Sequence, residues 1–504
     1  MQWDVHSNHL LGRRCVACLD YDLDGRLDFY FGQGGFEPPT GRSKLSNRLF
    51  RQVGDNDASA FHDVTALADA KDFGYTHGVT SGDWNQDGLP DLFIGNLGRN
   101  QLLINQGDGQ FTPLRPQREP LAAMWDRDMF TTAIAMADVT GDALPDLIEV
   151  NYIDDPKIFN PNTVDGQTLQ IGPLYYDAAI DRVFYNDGKG QILSKALGKG
   201  SGLPSTGLGV LVTNGDDQPG NEILVANDLL PNHLWQIRTT PDEPSSPEWT
   251  DTAVAAGVAY ATNGQPLACM GIPAADFNRD GRLDLHITNY VDEWSNLYLQ
   301  NQSGVFQDAA AQYALDIPTN PNVGFGTQAI DYDNNTTWDL VVGNGHTEDF
   351  SHRGIAFKMP TQVLMRSADG FVAASVQGQD DYWSSNHVAR SIARCDYNRD
   401  GRVDFALTDL LEPVSLFENR CPTDHHFLQI DLVGRTSERD AVGAKVTISF
   451  NGQTAMQMTQ AGDGYLGKNE STLFFGLGNA QDVDSIEVRW PDGRRQNFSG
   501  PPLD

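Results

Sequence analysis

Asp20-Tyr-Asp22-Leu-Asp24-Gly25-Arg-Leu-Asp28 places oxygen-bearing side chains at positions 1, 3, 5 and 9, with glycine at position 6. A hard cation such as calcium takes six to eight oxygen ligands at about 2.3–2.6 Å. A short loop can deliver them only if its backbone turns sharply, which is the glycine's part. The chain writes this stretch again at Asp83-Asn85-Asp87-Gly88-Asp91, Asp276-Asn278-Asp280-Gly281-Asp284 and Asp396-Asn398-Asp400-Gly401-Asp404. Looser copies stand at Asp138-Thr140-Asp142-Ala143-Asp146 and Asp331-Asp333-Asn335-Thr336-Asp339, and Asn214-Asp216-Gln218-Glu222 keeps a remnant. The side chains at positions 1, 3, 5 and 9 of the six fuller loops are the metal-ligand candidates. An EF-hand is excluded, because position 12 is apolar (Phe31, Ile94, Ile287, Val342, Leu407) in every loop but the one holding Glu149.

Working outward, a short apolar strand enters each loop, as in Cys15-Val-Ala-Cys-Leu19 or Thr132-Ala-Ile-Ala-Met136, and the last acid opens a second strand, as in Asp91-Leu-Phe-Ile-Gly. Five residues beyond that acid stands Gln33, Asn96, Asn151, Asn227, Asn289, Asn344 or Asp409, which reads as an Asx turn closing the strand. Asn-x-Gly and Asp-Gly turns between apolar runs then mark a hairpin, and Phe111, Phe306 and Phe371 start a fourth strand. Four strands per unit, recurring about every 63 residues, predict a seven-bladed β-propeller over residues 1–421. Residues 152–180 and 237–265 read as inserted surface loops. From residue 422 the acidic loops stop. His426-Phe-Leu-Gln-Ile-Asp-Leu-Val433, Val442–Phe450 and Ser485–Trp490 alternate as half-buried strands, so residues 422–504 read as a small, separate β-sandwich-like domain. The fold class is all-β.

Composition narrows the function. A formal charge of −33 offers no basic face for phosphate contacts, which excludes a nucleic-acid partner. Six bound calcium ions would bring it to about −21. No apolar run is long enough for a transmembrane segment. The start, Met-Gln-Trp-Asp-Val-His, lacks the basic and apolar regions of a signal peptide, so either the chain is cytosolic or its N-terminus has been trimmed. Five scattered cysteines make no disulfide framework, and Cys15-Val-Ala-Cys18 lies on a predicted strand, where buried small hydrophobes are expected. There is no nucleophile elbow and no phosphate-cradling loop. His77, His286 and His346 fall near strand ends without a shared ligand spacing, and Arg390 with Trp383 reads as a solvated arginine beside a core tryptophan.

The loops and flanks resemble the FG-GAP or VCBS-type repeats of integrin α-subunit propellers. Met270-Gly-Ile-Pro-Ala-Ala-Asp276, Phe325-Gly-Thr-Gln-Ala-Ile-Asp331 and Gly343-Asn-Gly-His346 resemble the repeats of the cartilage acidic protein family. Arg439-Asp-Ala-Val-Gly-Ala-Lys-Val446, Gly462-Asp-Gly-Tyr-Leu466, Phe475-Gly-Leu-Gly478 and Val488-Arg-Trp-Pro-Asp-Gly493 resemble that family's ASPIC/UnbV module. The resemblance implies a calcium-binding propeller followed by that module, with relatives that are mostly secreted or surface-exposed and associated with adhesion. The replaced glycines (Ala143, Thr336) and the depleted fourth loop depart from the pattern, so Ca2+ is expected at about five to six sites. The expectation is an extracellular, periplasmic or cell-surface binding or adhesion protein for a protein or glycan ligand. The alternative is an enzyme of lyase, isomerase or cyclase type working at the channel mouth. Titratable side chains converging on one pocket would favour the enzyme.

Overall fold

The computed structural model describes residues 3–6, 14–34, 45–54, 60–114, 127–159, 163–164, 167–168, 172–188, 192–198, 202–238, 248–376 and 382–501. Among the described residues the strands before residue 421 group into seven four-stranded antiparallel units, the second and third hydrogen-bonded into one eight-stranded sheet where Met129–Phe130 pair with Leu97–Gly98. The first sheet is Cys15–Leu19, Asp28–Gly32, Arg48–Gln52 and Phe61–Asp63. The innermost strands of the next six are Tyr75–Gly82, Met129–Ala137, Gly207–Thr213, Ala274–Ala275, Gly324–Ile330 and Ala389–Cys395. Trp3–His6 pairs antiparallel with Ser415–Asn419, so the start of the chain supplies the outer strand of the last sheet. The result is a β-propeller whose two ends are sewn into one blade, which leaves no open edge at the join.

Glycine explains how the inner strands pack. A Cβ at Gly78, Gly209, Gly271 or Gly326 would collide with the carbonyl oxygen of Thr132, Met270, Phe325 or Arg390 on the next blade. Backbones can approach this closely only where no side chain intervenes. Register shifts at Thr76/Gly78, Thr131/Ala133, Gly207/Gly209, Gly324/Thr327 and Ala389/Ile392 bend those strands at the same level. Runs such as Val16, Phe29 and Phe31, or Phe405, Leu407 and Phe417, are buried between blades and give the propeller its core. Helices among the described residues are single turns, such as Ala253–Ala256 and Asp316–Thr319, and none is long and apolar enough to cross a membrane.

The C-terminal module packs the sheet of Lys445–Phe450, Gln453–Met458, Ser485–Arg489 and Arg495–Ser499 against the pair His426–Ile430 and Leu473–Gly478. Val446, Ile448, Phe450, Leu473, Phe475 and Val488 fill the space between them. It is not a body apart from the propeller. It covers the face that carries the acidic loops, and its segment 461–470 runs into the axial channel. There Ala461 exchanges backbone hydrogen bonds with Val212, Gly464 with Ile272 (2.7 and 2.8 Å) and Lys468 with Val16 and Cys18. The Leu466 carbonyl accepts from Val79, while Asn469 reaches Gln328 (3.0 Å) and the Arg394 amide (2.8 Å). An axial channel ringed by inner-strand amides is thus filled by backbone that satisfies them. A second difference concerns residues 237–265: Glu248–Asp251 is the outer strand of the fourth blade, so only part of that stretch is a loop. Residues 160–162, 165–166, 169–171 and 239–247 of the two expected insertions lie outside the described residues.

Candidate metal centre

In each acidic loop the position-1 carboxylate folds the turn around itself. Asp20 accepts the amides of Asp24 (3.0 Å) and Gly25 (2.9 Å), Asp83 those of Asp87 and Gly88, and Asp276 those of Asp280 and Gly281. Asp331 accepts from Asn335 and Thr336, Asp396 from Asp400 and Gly401, and Asp138 from Gly141 and Ala143. The turn requires left-handed backbone twice. Position 4 has φ of +56 to +62° in Leu23, Gln86, Arg279, Asn334 and Arg399, and position 6 has it again, at +67° in Ala143 and +78° in Thr336 where glycine is missing. Such conformations each cost non-glycine residues about 1 kcal/mol or more and cluster at ligand sites.

Oxygens converge most closely in the first loop, where one carboxylate oxygen each of Asp20, Asp22 and Asp28 lie within 4.8 Å of one another. Asp24 turns instead to Arg26 (2.6 Å) and Arg51 (2.9 Å). Asn85, Asn278 and Asn398 donate to the position-5 carboxylates of Asp87 (2.9 Å), Asp280 (3.0 Å) and Asp400 (3.2 Å). Thr140 and Asp142 bind their own loop, with Asp142 accepting the Leu144 amide (3.0 Å), and Asn335 accepts that of Thr337 (2.7 Å). Four loop oxygens are shielded from water and have no hydrogen-bond partner: Asp22 Oδ1, Asp333 Oδ1, Asp339 Oδ2 and Asp404 Oδ2. A buried acceptor without a partner is costly, and a hard cation is the partner that a set of carboxylates and amide oxygens fits.

Position 9 does something that the spacing did not announce. In the first, second, third and fifth loops its Oδ2 accepts the position-2 amide of its own loop, as from Tyr21 to Asp28 (3.2 Å) or Phe277 to Asp284 (2.9 Å). Its Oδ1 accepts an amide of the third strand: Gln52 to Asp28, Asn105 to Asp91, Asn186 to Asp146, Gln300 to Asp284, Arg366 to Asp339 and Asn419 to Asp404. The side-chain amides of Gln52, Asn105, Asn186, Gln300 and Asn419 then donate to the position-2 carbonyls of Tyr397, Tyr21, Trp84, Gly215 and Tyr332 on the preceding blades. Where that side-chain amide is present, the clamp ties a loop, its own third strand and the neighbouring blade. Burial, then neighbouring acids, pushes Asp28 up to about 8 and Asp91, Asp284 and Asp339 to about 7, and lifts Asp146 and Asp404 well above the carboxylate range. A bound cation reverses that cost.

The fourth loop has a cationic side chain against it. Arg489 of the C-terminal module donates to Asn214 (2.8 Å) and pairs with Asp217 (2.5 Å), and Glu222 accepts the Gly215 amide (2.7 Å). A guanidinium thus stands where the remnant loop has lost its ligands. The module reaches other loops too: Arg439 lies 3.3 Å from Asp83, Gln429 donates to Asp396 (2.6 Å) and Lys445 donates to the Gly281 carbonyl (2.7 Å).

The second-strand amides close turns inside their own blades, as Asn96 does on Arg99 (2.7 Å) and Asn344 on Pro360 (2.8 Å). His77, His286 and His346 do not meet. His77 lies between the rings of Tyr75 and Phe130, His286 faces Thr327 (3.2 Å), and His346 bonds Tyr290 (2.9 Å). Cys15, Cys18, Cys269 and Cys395 are buried free thiols. Arg390 departs from the expectation of a solvated arginine, since it is only 7% exposed and stacks 3.9 Å from the Phe325 ring.

Residues 20–94 and 83–148 match the family model described as FG-GAP-like repeat, and residues 434–504 match that of ASPIC and UnbV. Cartilage acidic protein 1 of Mus musculus is 24% identical over 97% of this chain and 72% of its own length. The Homo sapiens protein of that name is 25% identical over 97% of this chain and 70% of its own. Among solved structures, an Agrocybe aegerita protein described as specifically recognising non-reducing terminal N-acetylglucosamine aligns at TM-score 0.43 and 13% identity, covering 78% of this chain and 88% of that one. BBS1N, solved in complex with ARL6DN, aligns at 0.44 and 10% identity over 82% and 94%. The chain carries FG-GAP-like repeats and an ASPIC and UnbV domain, and nearly all of it is similar to cartilage acidic protein 1.

Proposed function

We propose that this propeller is stabilised by calcium and works as an extracellular or cell-surface binding or adhesion protein for a protein or glycan ligand. The observation that carries the calcium reading is the set of shielded, unpartnered loop oxygens at Asp22, Asp333, Asp339 and Asp404. Calcium supplies charge neutralisation and cross-linking, not chemistry, and the position 1, 3, 5 and 9 side chains hold it. Arg489 takes the cation's place in the fourth loop, which leaves the six fuller loops as sites. Loops without a flanking helix pair bind calcium weakly, at about 10⁻⁴–10⁻³ M, a range filled outside cells and empty in a cytosol. Calorimetric titration of chelator-stripped protein tests this: several calcium ions per chain in that range support it. Sub-micromolar affinity removes the argument for an extracellular setting, and no uptake removes the calcium reading.

The enzyme alternative draws on one observation, that charged and phenolic side chains gather at the mouth opposite the acidic loops. Their engagements favour holding a ligand over moving a proton. Both nitrogens of His346 are occupied, by Tyr290 (2.9 Å) and by the Glu348 amide (3.2 Å), and Arg390 donates to the carbonyls of Ala389 and His346.

A further inference from the structure

Each inner strand runs from one face of the propeller to its acidic loop on the other. The N-terminal ends of these strands therefore surround the channel mouth that the C-terminal module leaves uncovered. Tyr465, carried on the segment that fills the channel, forms the floor beneath it, with its ring 5.3 Å from that of Phe325. Arg390 stacks on the same Phe325 ring. Arg14, one blade further on, lies over Tyr75 (4.6 Å) and donates to its hydroxyl. Arg14 and Arg390 stand where the inner strands of adjacent blades begin, and Asp228 follows the second strand of the fourth blade, at the same face of the propeller.

What these cations lack is the telling feature. The chain holds 68 acidic residues against 35 basic ones, yet among the described residues neither Arg14 nor Arg390 has a carboxylate in ion-pairing range. Arg390 is nine-tenths buried, and its partners are backbone carbonyls and an aromatic face. A buried guanidinium without a counter-ion is expensive unless an anion joins it. Beside Arg14, the Nε2 of His77 is shielded from water and has no hydrogen-bond partner. The far side of the mouth has the opposite sign: Asp228 accepts the Tyr152 hydroxyl (2.6 Å), and Glu293 stands near enough to raise the Asp228 carboxyl further. Aromatic walls between the two poles suit the apolar face of a ring carrying hydroxyls.

We propose that this mouth binds a small hydroxy acid of the sugar-acid kind, its carboxylate between Arg14 and Arg390 above Tyr465 and its hydroxyls toward Asp228 and Tyr152. The site rests on the reading of the chain as a binding propeller and gives that reading a ligand class. Guanidiniums recognise a carboxylate through paired N–H donors, and Asp228 accepts a hydroxyl.

The test is calorimetry of the full, calcium-equilibrated chain with sodium glucuronate, glucose and sodium glutamate as probes. The site predicts saturable glucuronate binding, at least tenfold weaker glucose binding, and weaker glutamate binding. Arg14→Gln, a partly buried position, and Arg390→Gln should each weaken glucuronate at least tenfold, with unfolding midpoints measured beside them to show folded protein. Absence of glucuronate binding, an affinity unchanged in Arg14→Gln, or glutamate binding more tightly than glucuronate would each overturn the proposal. Calcium uptake without glucuronate binding sinks this site and leaves the scaffold reading standing. Loss of both sinks the two together.

Discussion

The aspartate at position 9 of each fuller loop accepts a third-strand amide, a role separate from the calcium ligation proposed for it. In the fifth blade Asp284 accepts the amides of Phe277 (2.9 Å) and Gln300 (2.8 Å). Asp284→Ala leaves both buried and unpaired at about 1–3 kcal/mol each, so unfolding in denaturant should lose about 4 kcal/mol even with a chelator present. A variant that loses stability only when calcium is added would show that the clamp is unimportant. Asp181, outside the loops, is pushed up to about 7 by burial while it accepts the Asn151 amide (2.8 Å). The folded state holds this proton and the unfolded chain, near pKa 3.9, does not. Its stabilisation is therefore complete below about pH 4 and is lost as pH rises through 7, at about 1.4 kcal/mol per unit. Asp181→Asn should flatten the stability profile between about pH 4 and 7, seen in midpoints across that range. The acidic turns were legible in the sequence because a tight turn is local. The position-9 clamp was not, because its partners Gln52, Asn105 and Asn186 stand at unequal distances along the chain, so no fixed spacing marks them.

At the scale of the element, inner strands are shaped by what they must let past. Gly326→Val would drive a side chain into the Arg390 carbonyl of the next blade, so it should cost about 3 kcal/mol in unfolding experiments. The sequence gives such glycines as ordinary members of short strands. Their reason lies across the blade junction and cannot be seen from one strand's pattern. The segment 461–470 makes the same point. Gly462-Asp-Gly-Tyr465 reads as a break between strands, while its destination is the channel of another domain. Gly464 has φ +89°, and a side chain there would meet Gln328. Gly464→Val should loosen this segment, and Lys468, 8% exposed in the folded chain, should become a site of early tryptic cleavage. Equal resistance of variant and parent would contradict the packing described.

As a whole molecule, the propeller and the C-terminal module fold as partners. The module shields the acidic loops, supplies Arg489 to the one that has lost its ligands, and satisfies channel amides at Cys18, Val79, Val212 and Ile272. Residues 1–421 alone should then unfold at a lower temperature than the full chain and aggregate, because those amides would face an open channel. Two independent thermal transitions in the full chain would argue against this coupling. The acidic charge is concentrated in the blade loops, and we propose that calcium holds them. Thermal unfolding in millimolar calcium and in chelator, with metal analysis of the same sample, tests it most directly. A site at 100-fold excess over its Kd adds about 2.7 kcal/mol, and several sites add together, so the midpoint should rise clearly and several calcium ions per chain should be recovered. An unmoved midpoint, or zinc, copper or iron recovered in calcium's place, would contradict the account.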